Sequence, residues 1–454
     1  MLEYSAGGLT NDDLTNIKFI NCGDGTTAEV ADGGTKINVQ YVHAEFASEW
    51  TLELDSDKKL SETDMPRMLT DGIINVTVTE PTATLTVDKN VTVGQIAFTG
   101  TGAVTLSVAS GKTLTTGDIT GAGGILNNGT IVKTGSGVVS WPFDNNSTGI
   151  TQINAGTVKV KSVANTDKTK YGFWSDGTTQ QLIDVKAGAT FDMNGKGNFI
   201  PSVRLAEGAH FVNTGSSIGW NRKQTVQLIL DGDADVSTTG GDFGLIAPDL
   251  AETRLDLGAN TLTLSGSNVF RLYNTTINGA GTINVTGGTL LIPMYASSTG
   301  DDCTVAIGAG GTMLLANGCS LTVKNFTNGG TISTNQTGML TVTGTLTPGK
   351  EIPKLTLTGG AEVKASATTA QTVSTTFSAT GTITIDASDI TKAQLDAATD
   401  QRIPVLTVPT TDKGGTWTVD NARVAGARAK WVDNGDDTST LYLCKPHGMM
   451  IIIR

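Results

Sequence analysis

The stretch from residue 127 to residue 162 constrains the fold of this chain more than any other part of it. It reads NNGTIVKTGSGVVSWPFDNNSTGITQINAGTVKVKS, so short β-branched runs alternate with turns rich in glycine and asparagine. β-Branched residues fit a pleated, half-buried surface, whereas glycine and asparagine tolerate the positive φ angles at which a strand ends. The pattern predicts short strands joined by tight turns, with strands at 130–133, 138–140, 150–153 and 157–160.

Looser copies of this pattern return at steps of roughly 20 residues from Thr82 onwards, which is the scale of the coils of a solenoid. Glycine makes up 56 of 454 residues, about 12% against an average of ~7%, and 16% of the residues are charged. This composition favours strands and turns over helices. Two architectures remain open, a parallel β-helix and a set of β-sandwiches. Because the repeat is too short for a sandwich domain and no linkers are visible, the β-helix is favoured.

The two ends of the chain depart from the repeat. Residues 1–72 hold a charged run and several aromatic residues, and they are predicted to form an N-terminal cap or irregular first coils. Residues 73–387 are the predicted β-helix, in which inward Asn and Thr are expected to form ladders. Residues 388–454 are predicted to contain a helix at 388–399 and antiparallel hairpins that close the stack, with a tight turn at Asn434-Gly435.

The charge and hydropathy patterns narrow the classes of partner. The chain has 31 Lys and Arg against 43 Asp and Glu, a net charge of −12, and no dense basic cluster, so nucleic acid is not an expected partner. No segment approaches the ~18 consecutive apolar residues that a membrane helix needs. The first residues also lack the basic and apolar regions of a secretory signal.

Residue types that support catalysis are scattered along the sequence. The histidines His43, His210 and His447 lie far apart and form no ligand or triad spacing. The four cysteines show no zinc spacing. Cys303 and Cys319 are separated by about one short coil, so they either face each other on neighbouring coils at disulfide distance or, as the favoured interpretation, are two small buried residues.

One acidic turn is a candidate metal site. Asp231, Asp233 and Asp235 alternate as the carboxylates of a calcium loop do. Val236 at the sixth position and Asp242 at the twelfth do not fit an EF-hand, which needs Gly and Glu there. A calcium ion bound by the turn remains open beside the favoured alternative, a solvated acidic turn. No cofactor is predicted.

Aromatic residues are few, and six of them cluster in or near predicted turns. Aromatic side chains that project from a β-helix are suited to stacking on sugar rings or to anchoring a protein partner. The alternative is that they pack beneath long loops as a satellite cluster. These residues are Trp141, Phe143, Tyr171, Phe173, Trp174 and Trp220.

Residues 129–160 resemble the autotransporter-associated β-strand repeat, also called the passenger-associated transport repeat. That repeat has a Lys-Thr-Gly-x-Gly turn, an apolar strand, an Asn-rich turn ending in glycine, and a closing Gly-Thr-Leu-x-Val. The matching residues are Lys133, Thr134, Gly135, Gly137, Gly149, Gly156, Thr157 and Val160, with Val158 in place of the usual Leu. Residues near 403–421 resemble the segment that closes such repeats.

The resemblance implies a right-handed parallel β-helix that is exported to the outside of a bacterium and is adhesive or structural. Two features depart from a typical autotransporter: the chain ends in Arg454 without the alternating spans of a membrane β-barrel, and it lacks a signal peptide. We therefore expect either a fragment or a surface protein that leaves the cell by another route.

The predicted function is that of a bacterial surface or extracellular β-helix protein, structural or adhesive and without catalytic residues. Its expected partners are host or environmental glycans or cell-surface proteins. The alternative is a β-helical polysaccharide lyase or hydrolase, or a depolymerase similar to a phage tailspike. Such enzymes need clustered carboxylates, and one sequence does not reveal clustering across coils.

Overall fold

A computed structural model describes residues 2–3, 14, 26–31, 36–40, 46–99, 104–121, 130–141, 150–161, 182–196, 200–218, 225–246, 252–293, 297–333, 338–420 and 423–445. From β4 to β39 the strands pair in parallel with strands of the neighbouring coils, and almost no helix is present among the described residues. The predicted all-β parallel β-helix is therefore confirmed.

In chain order the strands are β1 (Leu2–Glu3), β2 (Thr27–Ala31), β3 (Lys36–Gln40), β4 (Ala47–Leu54), β5 (Lys58–Lys59), β6 (Met68–Val78), β7 (Thr84–Val87), β8 (Val91–Thr99), β9 (Val104–Val108), β10 (Thr113–Gly121), β11 (Thr130–Thr134), β12 (Val138–Trp141), β13 (Ile150–Ile153), β14 (Thr157–Val160), β15 (Leu182–Val185), β16 (Thr190–Asp192), β17 (Ile200–Leu205), β18 (His210–Val212), β19 (Thr225–Leu230), β20 (Ala234–Thr238), β21 (Phe243–Leu245), β22 (Thr253–Gly258), β23 (Thr261–Gly266), β24 (Val269–Leu272), β25 (Thr275–Gly279), β26 (Thr282–Val285), β27 (Thr289–Ile292), β28 (Ser297–Ile307), β29 (Thr312–Leu315), β30 (Ser320–Asn328), β31 (Thr331–Ile332), β32 (Met339–Val342), β33 (Thr345–Thr347), β34 (Ile352–Leu357), β35 (Glu362–Lys364), β36 (Gln371–Ala379), β37 (Thr382–Asp386), β38 (Arg402–Pro409), β39 (Thr416–Asp420), β40 (Arg428–Asp433) and β41 (Thr438–Cys444). The helix α1 spans Lys392–Ala397 and is followed by 3-10 turns at Thr399–Gln401 and Thr410–Asp412.

Parallel pairing sorts these strands into rows, which form the faces of the β-helix. The first face contains β5, β7, β9, β11, β13, β15, β17, β19, β22, β25, the beginnings of β28 and β30, and then β32, β34, β36 and β38. The second face contains the beginnings of β8 and β10, then β12, β14, β16, β18, β20, β23 and β26, the ends of β28 and β30, and β33, β35, β37 and β39. A third row holds β21, β24, β27, β29 and β31 in the middle of the chain.

The length of a coil varies along the stack. Thr130 pairs with Ile150 on the next coil, a step that agrees with the predicted repeat. Ile150 in turn pairs with Leu182, so the following coil on the same face is much longer. This insertion lies between strands, so the parallel pairing continues across it, whereas β28 carries a bulge within the strand, between Gly300 and Thr304.

The core is a thin continuous column along the axis of the stack. In β14 (TVKV) the alternation places Val158 and Val160 inside, at 1% and 0% exposure, and turns the Thr and Lys outward. Four inward phenylalanines stack along the column, with ring centroids 5.6, 5.0 and 5.3 Å apart in the order Phe191, Phe211, Phe243 and Phe270. Apolar burial and aromatic contact between neighbouring coils thus hold the stack together.

Polar side chains near the corners of the stack form hydrogen bonds that connect one coil to the next. The buried hydroxyls of Thr253 and Thr275 lie 2.8 Å apart, which is the expected threonine ladder. Asparagine acts differently, because its amide donates to backbone carbonyls of a neighbouring coil. The Asn268 amide reaches the carbonyl oxygens of Thr238 (2.6 Å) and Thr239 (3.1 Å).

The stack begins within residues 1–72, the range predicted as an N-terminal cap or irregular first coils. β4 already pairs in parallel with β6, and the end of that range falls inside β6. Residues 47–72 therefore belong to the first coils of the β-helix. Before them, β1, β3 and β2 form a small antiparallel sheet.

The C-terminal segment closes the stack largely as predicted. α1 lies inside the predicted range 388–399, and Thr391 caps it by accepting a hydrogen bond from the Gln394 backbone N–H at 3.2 Å. β41 pairs antiparallel with both β38 and β40, and the turn between β40 and β41 contains Gly435 at a φ of 75°. The prediction of antiparallel pairing is wrong for β39, which continues the parallel stack on β37.

The described cysteines are free thiols. Cys319 precedes Ser320, whose register partner is Ser297, whereas Cys303 lies in the bulge just before Thr304. This register does not bring the two sulfurs together for a disulfide, and both side chains are buried, as the favoured interpretation holds. Burial raises the pKa of Cys303 to about 12 and that of Cys319 to about 11. Neither thiol is therefore a ready nucleophile.

Within the described ranges, no helix has the length and apolar character to cross a membrane.

Candidate functional surfaces

Lys133, the lysine of the best-formed repeat, has a structural role, because its hydrogen bonds connect two coils. Lys133 is 1% exposed, and its ammonium Nζ donates to the carbonyl oxygens of Thr134 (3.0 Å), Gly135 (2.6 Å) and Ala155 (2.8 Å). The first two carbonyls belong to its own corner and the third to the next coil. Burial lowers the pKa of Lys133 to about 8, so the amine is mostly protonated at neutral pH and its three hydrogens meet three acceptors.

Replacing Lys133 by methionine is expected to lower the free energy of unfolding of this region by about 1–3 kcal/mol at pH 7, because three carbonyls lose their donor. The pKa of Lys133 is about 8 in the folded chain against 10.5 for an ordinary lysine, so between these pH values the unfolded chain binds more protons. Wild-type stability should therefore rise with pH in that window, by about 3 kcal/mol at most, and the variant should lose this rise.

Denaturant titrations of wild type and Lys133→Met from pH 7 to pH 10.5 measure this difference. Lys354→Met, which removes a half-exposed lysine on the outer surface, controls for the loss of any lysine. Parallel stability profiles for wild type and Lys133→Met would show that Lys133 does not titrate as a buried group.

The acidic turn predicted as a metal candidate makes three separate contacts. Asp233 Oδ1 accepts a hydrogen bond from the backbone N–H of Thr261 on the next coil at 2.7 Å. This contact helps to set the register between the two coils. Asp231 Oδ2 lies 3.5 Å from Arg204 Nε, and Asp235 Oδ2 lies 3.6 Å from His210 Nδ1. In the part of the chain that the structure describes, no three His, Cys, Asp or Glu side chains are placed to hold a metal ion.

The aromatic prediction falls mostly on residues that the structure does not describe. Phe143, Tyr171, Phe173, Trp174 and Trp220 lie outside the described ranges, as do His43 and His447. The backbone of Trp141 is described: it is the last residue of β12 and pairs with Val160.

A row of outward hydroxyls on the first face is visible only once the register is known. One residue from each of six successive coils falls in line, and we call this set the hydroxyl row. The row consists of Thr276, Thr299, Thr322, Thr341, Thr356 and Ser378. Neighbouring parallel strands are ~4.8 Å apart, so the row is about 24 Å long.

Most hydroxyls of the row make no hydrogen bond to the residues that the structure describes. Thr276 donates to Glu252 Oε1 at 2.7 Å and Thr356 lies 3.3 Å from the Met339 sulfur. Among the described residues the other four hydroxyls have no protein partner. The side chains are half-buried or exposed, and the row itself carries no charge.

On the three preceding coils and on β25, which also contains Thr276, the same face carries a hydrogen-bonded polar network. Ser202 donates to Gln227 Oε1 (3.0 Å), and Gln227 donates to Asp256 Oδ2 (2.6 Å). Asn278 donates to the other oxygen of Asp256 at 2.5 Å. These side chains satisfy one another, so the network braces the face, whereas the hydroxyl row remains open.

Comparisons with protein-family models, with curated proteins and with solved structures gave no significant match for this chain.

Proposed function

We propose that this protein is a bacterial β-helix exported to the cell surface or the surroundings, where it is structural or adhesive. The observation that carries the proposal is the unbroken parallel stack with an open hydroxyl row along one face. The resemblance of residues 129–160 to a repeat of surface proteins supports the location.

A long rigid face is suited to adhesion because its contact groups are ordered before binding. β-Branched Thr side chains on paired strands lose little further freedom when they bind, and this keeps the cost of association low. Hydroxyls both donate and accept, which suits the hydroxyls of glycans or the polar surface of a protein. The expected partners are therefore host or environmental glycans or cell-surface proteins.

The test is a panel of immobilised glycans in which both retention of the protein and release of products are scored. Retention without products supports adhesion, whereas product formation would favour the alternative, a polysaccharide lyase, hydrolase or depolymerase. Protease added to intact cells tests the surface location, because an exported β-helix should be cleaved there and an internal protein should not.

The strand β30 supplies a matched pair of variants for the hydroxyl row. Thr322 lies in the row on the first face, and Thr327 faces outward on the second face of the same strand. Thr322→Glu should reduce retention about tenfold, because it adds a charge to an uncharged row of hydroxyls. Thr327→Glu should leave retention unchanged. An equal loss in both variants would contradict a role for the hydroxyl row.

A further inference from the structure

The closing sheet of β38, β41 and β40 has two different sides. Its inner side is apolar and plugs the end of the core, with Ile403, Leu441 and Leu443 at most 2% exposed. Trp431 also turns inward, and its ring lies 6.0 Å from that of Trp417 on the last parallel strand. The apolar inner side therefore explains why this sheet closes the β-helix. It does not explain which residues lie on the outer side.

The outer side gathers positive charge around one aromatic ring. Register places Lys430 opposite Tyr442, and Arg428 and Arg402 on either side of Cys444. We call these five residues the basic sheet face. Because side chains alternate along each strand, all five project from the side opposite the core.

The cations of the basic sheet face are unequally engaged. Arg402 pairs with Asp400 at 3.0 Å, and its guanidinium lies 4.5 Å above the Tyr442 ring. Arg428 and Lys430 are exposed and have no ion-pair partner within the described part of the chain. All three cations act on the Cys444 thiol: burial raises its pKa, and the three positive charges oppose that rise.

This concentration of positive charge contrasts with the protein as a whole, whose net charge is −12. Free cations on an acidic protein attract an anion locally, while the surrounding carboxylates repel ligands of high charge density. Nucleic acid, with one charge per ~1.7 Å of duplex, is such a ligand and needs more phosphate contacts than this face offers. A polymer with about one carboxylate per sugar fits better.

We propose that the basic sheet face binds an acidic polysaccharide. Arg428 and Lys430 form ion pairs with its carboxylates, and Tyr442 packs beside a sugar ring. This inference rests on the proposed adhesive function and names a ligand class for one end of the β-helix. Arg402 lies over the Tyr442 ring, and its own charge is paired with Asp400.

Binding of polygalacturonate to the full chain tests the proposal. The double variant Arg428→Gln/Lys430→Gln should bind about tenfold more weakly than wild type and show a shallower dependence on salt, because two ionic contacts are lost. Lys112→Gln/Lys364→Gln removes two lysines from the sides of the β-helix, away from the hydroxyl row, and should bind as wild type does. Equal binding by the two double variants would overturn the proposal, and so would tighter binding of single-stranded DNA than of polygalacturonate.

Cys444 provides a second measurement at the site itself. In a Cys22→Ser background, with Cys303 and Cys319 buried, N-ethylmaleimide should modify Cys444 more slowly when polygalacturonate is present. Unchanged modification at saturating polygalacturonate would place binding elsewhere and overturn the proposal. The hydroxyl row is tested separately by Thr322→Glu, so failure of either surface is distinguishable from failure of the other.

Discussion

Replacing Phe211 by alanine is expected to destabilise the middle of the β-helix by about 3–5 kcal/mol, the largest effect of any change considered. The ring is fully buried and touches Phe191 on one side and Phe243 on the other, at centroid distances of 5.6 and 5.0 Å. Alanine leaves a cavity, and the parallel strands on either side are held at their spacing by hydrogen bonds, so the stack cannot collapse to fill it.

Because each coil of a solenoid contacts only its neighbours, the damage should be local. Hydrogen exchange followed by peptide should show faster exchange in β16, β18 and β20, and little change in β32 and β34. Phe211→Leu keeps most of the volume and should cost less than half as much. Uniform loss of protection along the whole chain would contradict the nearest-neighbour account.

Gly156→Ala is expected to cost about 3 kcal/mol or more, the second large effect. Gly156 has a φ of 69°, and a Cβ there would lie 2.5 Å from the carbonyl oxygens of both Gly135 and Gly137 and 2.6 Å from Lys133 Nζ. Alanine therefore suffers both an unfavourable backbone conformation and a clash with the preceding corner. The backbone atoms cannot yield without breaking the register of the repeat.

Substitution of Gly188 separates the cost of the backbone conformation from the cost of the steric clash. Gly188 has nearly the same φ, 70°, but a Cβ there would meet nothing within 4 Å. Gly188→Ala should thus cost only the conformational part, about 1 kcal/mol. Thermal and denaturant unfolding of both variants measure the difference. Equal losses of stability would mean that close approach of the coils contributes nothing at Gly156.

Local alternation was sufficient to predict the strands of the best-formed repeat. The four predicted runs correspond to β11, β12, β13 and β14, with an extra residue at the end of β11 and of β12. The helix prediction also succeeded, because Thr391 and Gln394 form a capping box that neighbouring residues alone determine. Such features depend on contacts within a few residues, so the sequence contains the necessary information.

Features that depend on register were beyond the sequence. Thr276, Thr299, Thr322 and Thr341 all lie in the hydroxyl row, yet the step from the third to the fourth is shorter along the chain than the step from the first to the second. No fixed period connects them, because insertions at the corners change the length of each coil. The parallel pairing of β39 was missed for the same reason, since α1 and its 3-10 turns lie between β39 and its partner β37.

By itself the sequence determined that this protein would be a thin all-β stack, because glycine turns and alternating β-branched runs exclude most other folds. Only the tertiary structure decided which surfaces the stack presents. Arg402 and Arg428 come together because β41 lies between β38 and β40, and the hydroxyl row exists because hydrogen bonds fix each strand against the one below. Inward residues are specified by burial, a local property, whereas outward neighbours are set by pairing between distant strands.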